Sequence, residues 1–182
     1  MRLTDSLPIL LSKRPDSARV ATDLADKGYC STKKFYYHGF KLHLIALDHL
    51  AKMPLPERIQ FTAASVNDLT ALRAELPYLP PGCLVADKAY ASAPLSQQLA
   101  AEQSITICTP VKLKRDQKRL DAADKGYSTY VSRMRQSIES LFNWLIEKTP
   151  IQNGSKIRWE KGALLHCMGR LAAGLYIMLF NS

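Results

Sequence analysis

A chain of 182 residues is long enough for a buried core, and one domain is predicted over residues 1–182. Its content of 47% hydrophobic residues excludes a disordered chain. The net charge of +9 favours a polyanionic partner, most simply nucleic acid, over a basic protein without such a partner. The four cysteines form no Cys-x-x-Cys pair, which argues against zinc and fits a reducing compartment.

Apolar alternation and helical spacing predict an ordered series of strands and helices. The strands are predicted at residues 2–12, 35–46, 57–63, 84–87 and 105–109. The helices are predicted from Asn67 to about Leu76, from Pro94 to about Gln103, over 132–145 and over 163–180. Polar and basic residues 13–34 are predicted to form a long loop or flap. This order predicts an α/β fold with an antiparallel start and parallel later strands.

The apolar segment from Ala163 to Phe180 is long enough to be considered as a membrane-spanning helix. Arg170 near its middle would cost about 3 kcal/mol on insertion, and His166 adds to the objection. A helix buried against a sheet is therefore the favoured interpretation, with the membrane span as the alternative. No signal peptide is predicted, because the apolar stretch from Leu7 to Leu11 is short and contains a proline.

Three acidic residues are candidates for a shared metal site. Asp5 lies inside an apolar strand, where a carboxylate is costly unless it is paired or binds metal. Asp87 ends a hydrophobic strand, a common position for ligand sites in α/β sheets. Glu139 falls at the edge of the apolar face of its helix. Such oxygen ligands suit magnesium and phosphoryl transfer.

Each acidic residue also has an ordinary structural alternative. Glu139 lies four residues after Arg135, so the two could form a surface ion pair beside a core helix. Asp87 could be a strand terminator, since aspartate commonly forms turns. Asp5 lies close to the first residue of the chain, where fraying or exposure is an alternative. The three residues are therefore candidates until their relative positions are known.

Two basic stretches are candidates for contact with nucleic acid. Residues 112–119 hold five basic residues in eight, which predicts phosphate contact, with a solvated loop as the alternative. Lys41 and His43 follow an aromatic stretch that could grip a backbone or stack a base, although its aromatics are more often strand core. The basic residues of the first stretch are Lys112, Lys114, Arg115, Lys118 and Arg119.

Five motifs in order resemble the catalytic domain of bacterial insertion-sequence transposases of the DDE class. They are Thr4–Pro8, Tyr37–His43, Thr62–Asp68, Ala86–Tyr90 and Arg135–Glu139. The resemblance implies a ribonuclease H-like fold, with a mixed sheet of three antiparallel strands followed by parallel strands and flanked by helices. It implies Asp5, Asp87 and Glu139 as catalytic ligands of two Mg²⁺ ions, for which Mn²⁺ could substitute.

The same resemblance implies a substrate and a partner. It implies cleavage of double-stranded DNA at element ends and transfer to target DNA, by in-line attack of water and then of a 3′-hydroxyl. It also implies a homodimer on DNA in the bacterial cytoplasm, associated with the nucleoid. Arg135, one helical turn before the glutamate, matches a family position that contacts DNA, and Lys88 beside Asp87 is a further DNA-binding candidate.

The chain departs from the family pattern at two places. Ser132 and Ile146 stand where one large branch of the family carries Tyr and Lys, and Lys148 comes two residues late. Only four residues precede Asp5, where relatives carry a helical DNA-binding segment, so a truncated copy or one frame of a divided gene is expected. The alternatives are a non-catalytic DNA-binding remnant, a ribonuclease H-like nuclease with another nucleic-acid substrate, and a membrane-associated basic protein.

Overall fold

The structure is a computed structural model that describes residues 1–16, 18–30, 33–49, 52–113, 115–117 and 119–180. The strands are β1 (Arg2–Ser12), β2 (Asp26–Cys30), β3 (Phe35–Leu47), β4 (Leu55–Ala63), β5 (Gly82–Val85) and β6 (Ile105–Cys108). The helices are α1 (Asp68–Glu75), α2 (Ala93–Gln103), α3 (Ala122–Lys148) and α4 (Glu160–Phe180). Short 3₁₀ turns cover Leu76–Tyr78 and Lys88–Tyr90.

The strands form a mixed sheet in the order β2-β3-β1-β5-β6, with β4 paired to β3. Strands β2 and β3 are antiparallel, whereas β5 runs parallel to both β1 and β6. The predicted α/β class with parallel later strands is confirmed. The predicted loop over residues 13–34 is wrong in part, because it contains β2, so four strands precede the first helix. Strand β2 is at the end of the sheet order. Edge strands commonly carry polar and charged residues, so β2 has no apolar pattern that would predict a strand.

Helices α1 and α2 begin where the predicted cap and proline stand, whereas α3 and α4 begin earlier than predicted. The Asn67 side chain accepts a hydrogen bond from the backbone N–H of Leu69, and Pro94 lies in the first turn of α2. Helix α3 starts ten residues earlier than the predicted segment over 132–145. Its first turns are mostly exposed and carry no apolar stripe, so periodicity could not reveal them. Asp121 precedes this helix and accepts a hydrogen bond from the backbone N–H of Asp124.

The described residues divide into two compact units. The first unit comprises residues 1–5, 44–58 and 67–140, and the second comprises 6–43, 59–66 and 141–182. The core of the first unit is a cluster of buried apolar side chains: Ile45, Leu72, Leu76, Leu79, Leu84, Ala86, Tyr90, Leu95, Leu99 and Ile105. A smaller cluster in the second unit joins Cys30, Tyr37 and Ala64, with Leu10 and Phe35 packed against it.

Helix α4, in the second unit, is buried on one face only. Its buried residues are Ala163, Cys167, Leu171 and Gly174. A Cβ atom added at Gly174 would lie 2.7 Å from Leu145 Cδ2, so this face packs closely. Large apolar side chains are exposed elsewhere on the helix, including Leu165 at 78%, so the predicted burial holds for one face. Helix α4 is long and apolar enough to cross a membrane, but core helices of soluble proteins can have the same length and composition.

Candidate active site around Arg135

The two aspartates of the site both belong to the first unit, and the parallel pairing of β1 with β5 aligns them. Arg2 pairs with Leu84, and Leu3 pairs with Val85. Asp5 is two residues beyond Leu3, and Asp87 is two residues beyond Val85. Side chains two residues apart point to the same face of a strand, so the register that pairs Leu3 with Val85 brings the two carboxylates to one side. Asp87 follows the end of β5 and precedes the 3₁₀ turn of residues 88–90.

Helix α3 supplies the other two charged residues of the site. The face predicted from helical spacing is largely buried, since Ile138 is inaccessible, although Met134 is only half-buried. Arg135 and Glu139 lie four residues apart, and the Arg135 Nη2 atom is 3.2 Å from the Glu139 Oε1 atom. The predicted pair is therefore present. Its arginine is not a surface residue, because only 13% of the Arg135 side chain is exposed.

The Arg135 guanidinium contacts both aspartates as well. Its Nη1 atom donates to the Asp87 Oδ1 atom at 3.1 Å, and its Nη2 atom donates to the Asp5 Oδ2 atom at 3.1 Å. One cation thus holds the carboxylates of all three residues predicted from the sequence. The Asp5 side chain is 20% exposed, whereas Asp87 and Glu139 are about half exposed. The cluster is anchored at its buried end and open to solvent at the other.

The cluster carries an excess of negative charge, because three carboxylates surround one guanidinium. Tyr90, which closes the motif that begins at Ala86, is 1% exposed in the core of the same unit. Burial raises the pKa of Tyr90 well above its usual value, and the negative charges of Asp68, Asp5 and Asp87 raise it further. The phenol is therefore neutral at physiological pH. Sequence reasoning missed this residue, because no pattern marked Tyr90 as buried beside the carboxylates.

The donor chemistry of the cluster fits a hard divalent cation, because three carboxylates converge on one position that already holds a positive charge. Within the described residues, no three His, Cys, Asp or Glu side chains lie close enough together to hold one metal ion. The present spacing of the carboxylates is the spacing that surrounds a guanidinium. Magnesium takes oxygen ligands at about 2.0–2.1 Å, so binding it requires the carboxylates to approach one another.

The basic residues predicted to contact nucleic acid in the first unit are exposed where the structure describes them. Lys88 directly follows Asp87 and is exposed. Lys112, Arg115 and Arg119 are also exposed, in the connection between β6 and α3. Lys114 and Lys118 lie outside the described residues. Exposure leaves these side chains accessible to phosphate, and a role in DNA binding remains a prediction for each.

Lys41 and His43 belong to β3 in the second unit and have protein partners. The Lys41 Nζ atom donates to the Val66 carbonyl oxygen at 2.8 Å. His43 is 7% exposed, and its Nε2 atom is 2.8 Å from the Thr62 hydroxyl oxygen. Both partners, Val66 and Thr62, belong to the motif Thr62–Asp68. These contacts give both side chains a structural role, and their predicted contact with DNA stays a prediction.

Two cysteines on neighbouring strands of the first unit lie in contact, which the sequence did not predict. The Cys83 and Cys108 sulfur atoms lie 3.4 Å apart on the neighbouring strands β5 and β6. Both side chains are only half-buried. Burial raises the pKa of Cys83 to about 11, and the hydrogen bond with Cys108 contributes to this rise. The Cys83 thiol is therefore protonated at neutral pH.

The site combines two aspartates from neighbouring parallel strands with an arginine and a glutamate from one helix. The chain is therefore an α/β protein with a carboxylate cluster. The family model described as a transposase DDE domain matches residues 2–156, so the chain belongs to the transposase DDE family. The matched range includes Asp5, Asp87, Arg135 and Glu139. This is a family of DNA transposition, whose substrates are DNA. No curated protein and no solved structure matches the chain.

Proposed function

We propose that the chain cleaves DNA at the ends of an insertion sequence and transfers the freed strand to target DNA. The observation that carries this proposal is the convergence of Asp5, Asp87 and Glu139 on one cation in a transposase DDE domain. We further propose a ribonuclease H-like fold in which residues 1–182 act as one domain. Each compact unit is assembled from three separate stretches of the chain, which supports folding of the whole chain together.

Asp5, Asp87 and Glu139 would hold two Mg²⁺ ions, or Mn²⁺ in their place. When bound, such ions act as Lewis acids that activate water and stabilise the attacking and leaving oxygens of an in-line displacement. The chain's part is to hold the three carboxylates in β1, just after the end of β5 and in α3. Asp5 is the most buried of the three and sets the inner end of the site, while Asp87 and Glu139 face solvent, from which DNA arrives.

The exposed basic residues would bind and orient the DNA backbone. Lys88 lies next to Asp87, so its ammonium could contact a phosphate near the reacting bond. Lys112, Arg115 and Arg119 would contact phosphates farther along the strand. In the first reaction, water attacks the scissile phosphate and the 3′-oxygen leaves. In the second, the resulting 3′-hydroxyl attacks a phosphate of the target DNA, and the 3′-oxygen of the target strand leaves. Binding that depends on such contacts weakens steeply as salt concentration rises.

The proposal includes a homodimer acting on DNA in the bacterial cytoplasm, associated with the nucleoid. Helix α4 supports the dimer, because it exposes several large apolar side chains at 46–78% of their area, namely Leu165, Met168, Tyr176, Leu179 and Phe180. Exposed apolar patches of several such residues commonly mark protein interfaces. Sedimentation of the DNA-free chain should therefore show a dimer, and a Leu165→Glu variant should be monomeric. A wild-type chain that remains a monomer at micromolar concentrations, both free and bound to element-end DNA, contradicts this part of the proposal.

The catalytic proposal is tested by a cleavage assay on duplex DNA that contains the end of the element. Wild-type protein should cleave this DNA only when Mg²⁺ is added, and the Asp87→Asn variant should lose cleavage while keeping its affinity for DNA. Asp23→Asn is the matched control, because Asp23 is exposed and lies in the second unit. It should cleave like wild type.

The other outcomes separate the alternatives. Cleavage that persists in Asp87→Asn would show that the carboxylate assignment is wrong. Salt-sensitive binding without cleavage by any variant identifies a DNA-binding remnant. Metal-dependent cleavage without preference for element ends identifies a nuclease with another substrate.

A further inference from the structure

The Arg135 guanidinium occupies the position that a metal ion shared by the three carboxylates would need. It lies within 3.1–3.2 Å of oxygen atoms from Asp5, Asp87 and Glu139, and 13% of its side chain is exposed. A guanidinium is permanently charged and presents several donors in a fixed plane. It therefore neutralises part of the repulsion among the carboxylates and holds them in place without a metal.

A guanidinium and a divalent cation cannot share this position. Both are positive, and like charges a few ångströms apart at a partly buried site repel strongly. The carboxylates must also approach one another to bind a metal at ordinary metal–oxygen distances. The Arg135 side chain must therefore move away before all three carboxylates can ligate the same ion.

The arrangement also leaves the arginine incompletely satisfied. No described residue accepts a hydrogen bond from the Arg135 Nε atom, although this atom is buried. A buried donor without a partner is costly. The Arg135 side chain therefore loses less stabilisation when it leaves the cluster. Two of its three partners, Asp87 and Glu139, are about half exposed, so an ion can reach them from solvent.

We propose that Arg135 is a positioning residue that holds the three carboxylates together in the metal-free protein and is displaced when a divalent cation binds. The released guanidinium is then free to contact a DNA phosphate. This inference rests on the proposed function for the identity of the metal and the substrate. Because metal binding frees a DNA-binding group, the metal should raise the affinity for DNA, and DNA should raise the affinity for the metal by the same factor.

Titration calorimetry of the full chain with Mn²⁺ alone, without DNA, tests the displacement. The Arg135→Gln variant removes the charge, and Arg133→Gln is the matched control, because Arg133 is an exposed arginine on the same helix. We expect Arg135→Gln to bind Mn²⁺ at least about tenfold more tightly than wild type, since a competing positive charge is gone. Arg133→Gln should bind within about twofold of wild type, because the charge of this exposed side chain is screened by solvent.

The Arg135→Lys variant guards against a general effect of altering this residue. It keeps the positive charge, so its affinity for Mn²⁺ should stay near that of wild type. Equal affinity in wild type and Arg135→Gln, or weaker binding in Arg135→Gln, overturns the displacement while leaving the proposed metal site intact. Absence of Mn²⁺ binding in every variant overturns the proposed metal site together with the displacement.

A second measurement tests the coupling to DNA without relying on cleavage. The binding of a short duplex is measured by fluorescence anisotropy with and without Ca²⁺, a divalent cation with the same preference for oxygen ligands. Ca²⁺ should increase the affinity of the wild-type chain severalfold and should have less effect on Arg135→Gln. An equal effect of Ca²⁺ on both proteins overturns the coupling.

Discussion

Gly39 lies in β3 within the second unit, and the structure predicts that Gly39→Ala is severely destabilising. A Cβ atom built on this glycine would lie 2.0 Å from the Ile9 carbonyl oxygen of β1. It would also lie 3.1 Å from the ring of Tyr37. The glycine is therefore required by the close approach of another segment of backbone, and it stands inside the motif Tyr37–His43.

The magnitude follows from the size of this overlap. Carbon–oxygen contacts between neighbouring strands are ordinarily about 3.3 Å or longer, so the two segments would have to separate by more than about 1 Å. Inserting a group into a filled space costs about 1–3 kcal/mol and occasionally more. Because the obstructing atom belongs to the backbone rather than to a flexible side chain, we expect a loss of about 3 kcal/mol. That loss lowers the midpoint of thermal unfolding by roughly 6–12 °C.

Urea denaturation followed by circular dichroism measures this change, with Gly126→Ala as the matched control. Gly126 lies in α3, and a Cβ atom there would meet nothing within 4 Å in the part of the chain that the structure describes. Replacing a helical glycine with alanine should raise stability by up to about 1 kcal/mol. A Gly39→Ala protein within about 1 kcal/mol of wild type would refute the close approach of Gly39 to Ile9.

Three further predictions concern capping, pH and thiol reactivity. Asn67→Ala should cost about 1 kcal/mol in urea denaturation, because it removes the side-chain cap of α1; an unchanged free energy of unfolding would contradict this role. Burial lowers the pKa of His166 below 6.5, and the charge of Arg170 lowers it further. The unfolded chain therefore binds a proton first, so stability present above about pH 6.5 is lost as the pH falls below it. Thermal unfolding between pH 7.5 and 5.5 should show this loss, and His166→Gln should reduce the slope. Because burial raises the pKa of Cys83 to about 11, its alkylation rate, followed by mass spectrometry, should still rise above pH 9; a plateau at pH 9 would refute the raised pKa.

The sequence determined those elements whose side chains repeat with the period of their backbone. Strand β1 was predicted at its observed bounds, and β3 was predicted to within one residue. The cap of α1 was predicted because asparagine can accept a hydrogen bond from the helix locally, without help from distant residues. Strand β2 was missed, because an edge strand tolerates polar residues and is identified only by its pairing with β3.

The candidate site shows the same division. The Arg135–Glu139 pair follows from helical spacing, because residues four apart lie on the same face of a helix. The contacts of Arg135 with Asp5 and Asp87 span 130 and 48 positions in the sequence. They depend on the register of β1 with β5 and on the placement of α3, neither of which a local pattern encodes.

The sequence by itself therefore determined which residue types could carry the chemistry, namely three carboxylates, and on which elements they stand. Only the tertiary structure decided that one arginine lies among all three. The physical reason is that the energy of an ion pair depends on the distance between its charges and on their exposure to water. Both quantities arise from packing between segments far apart in the chain, whereas helical and strand periodicity depend on neighbouring residues.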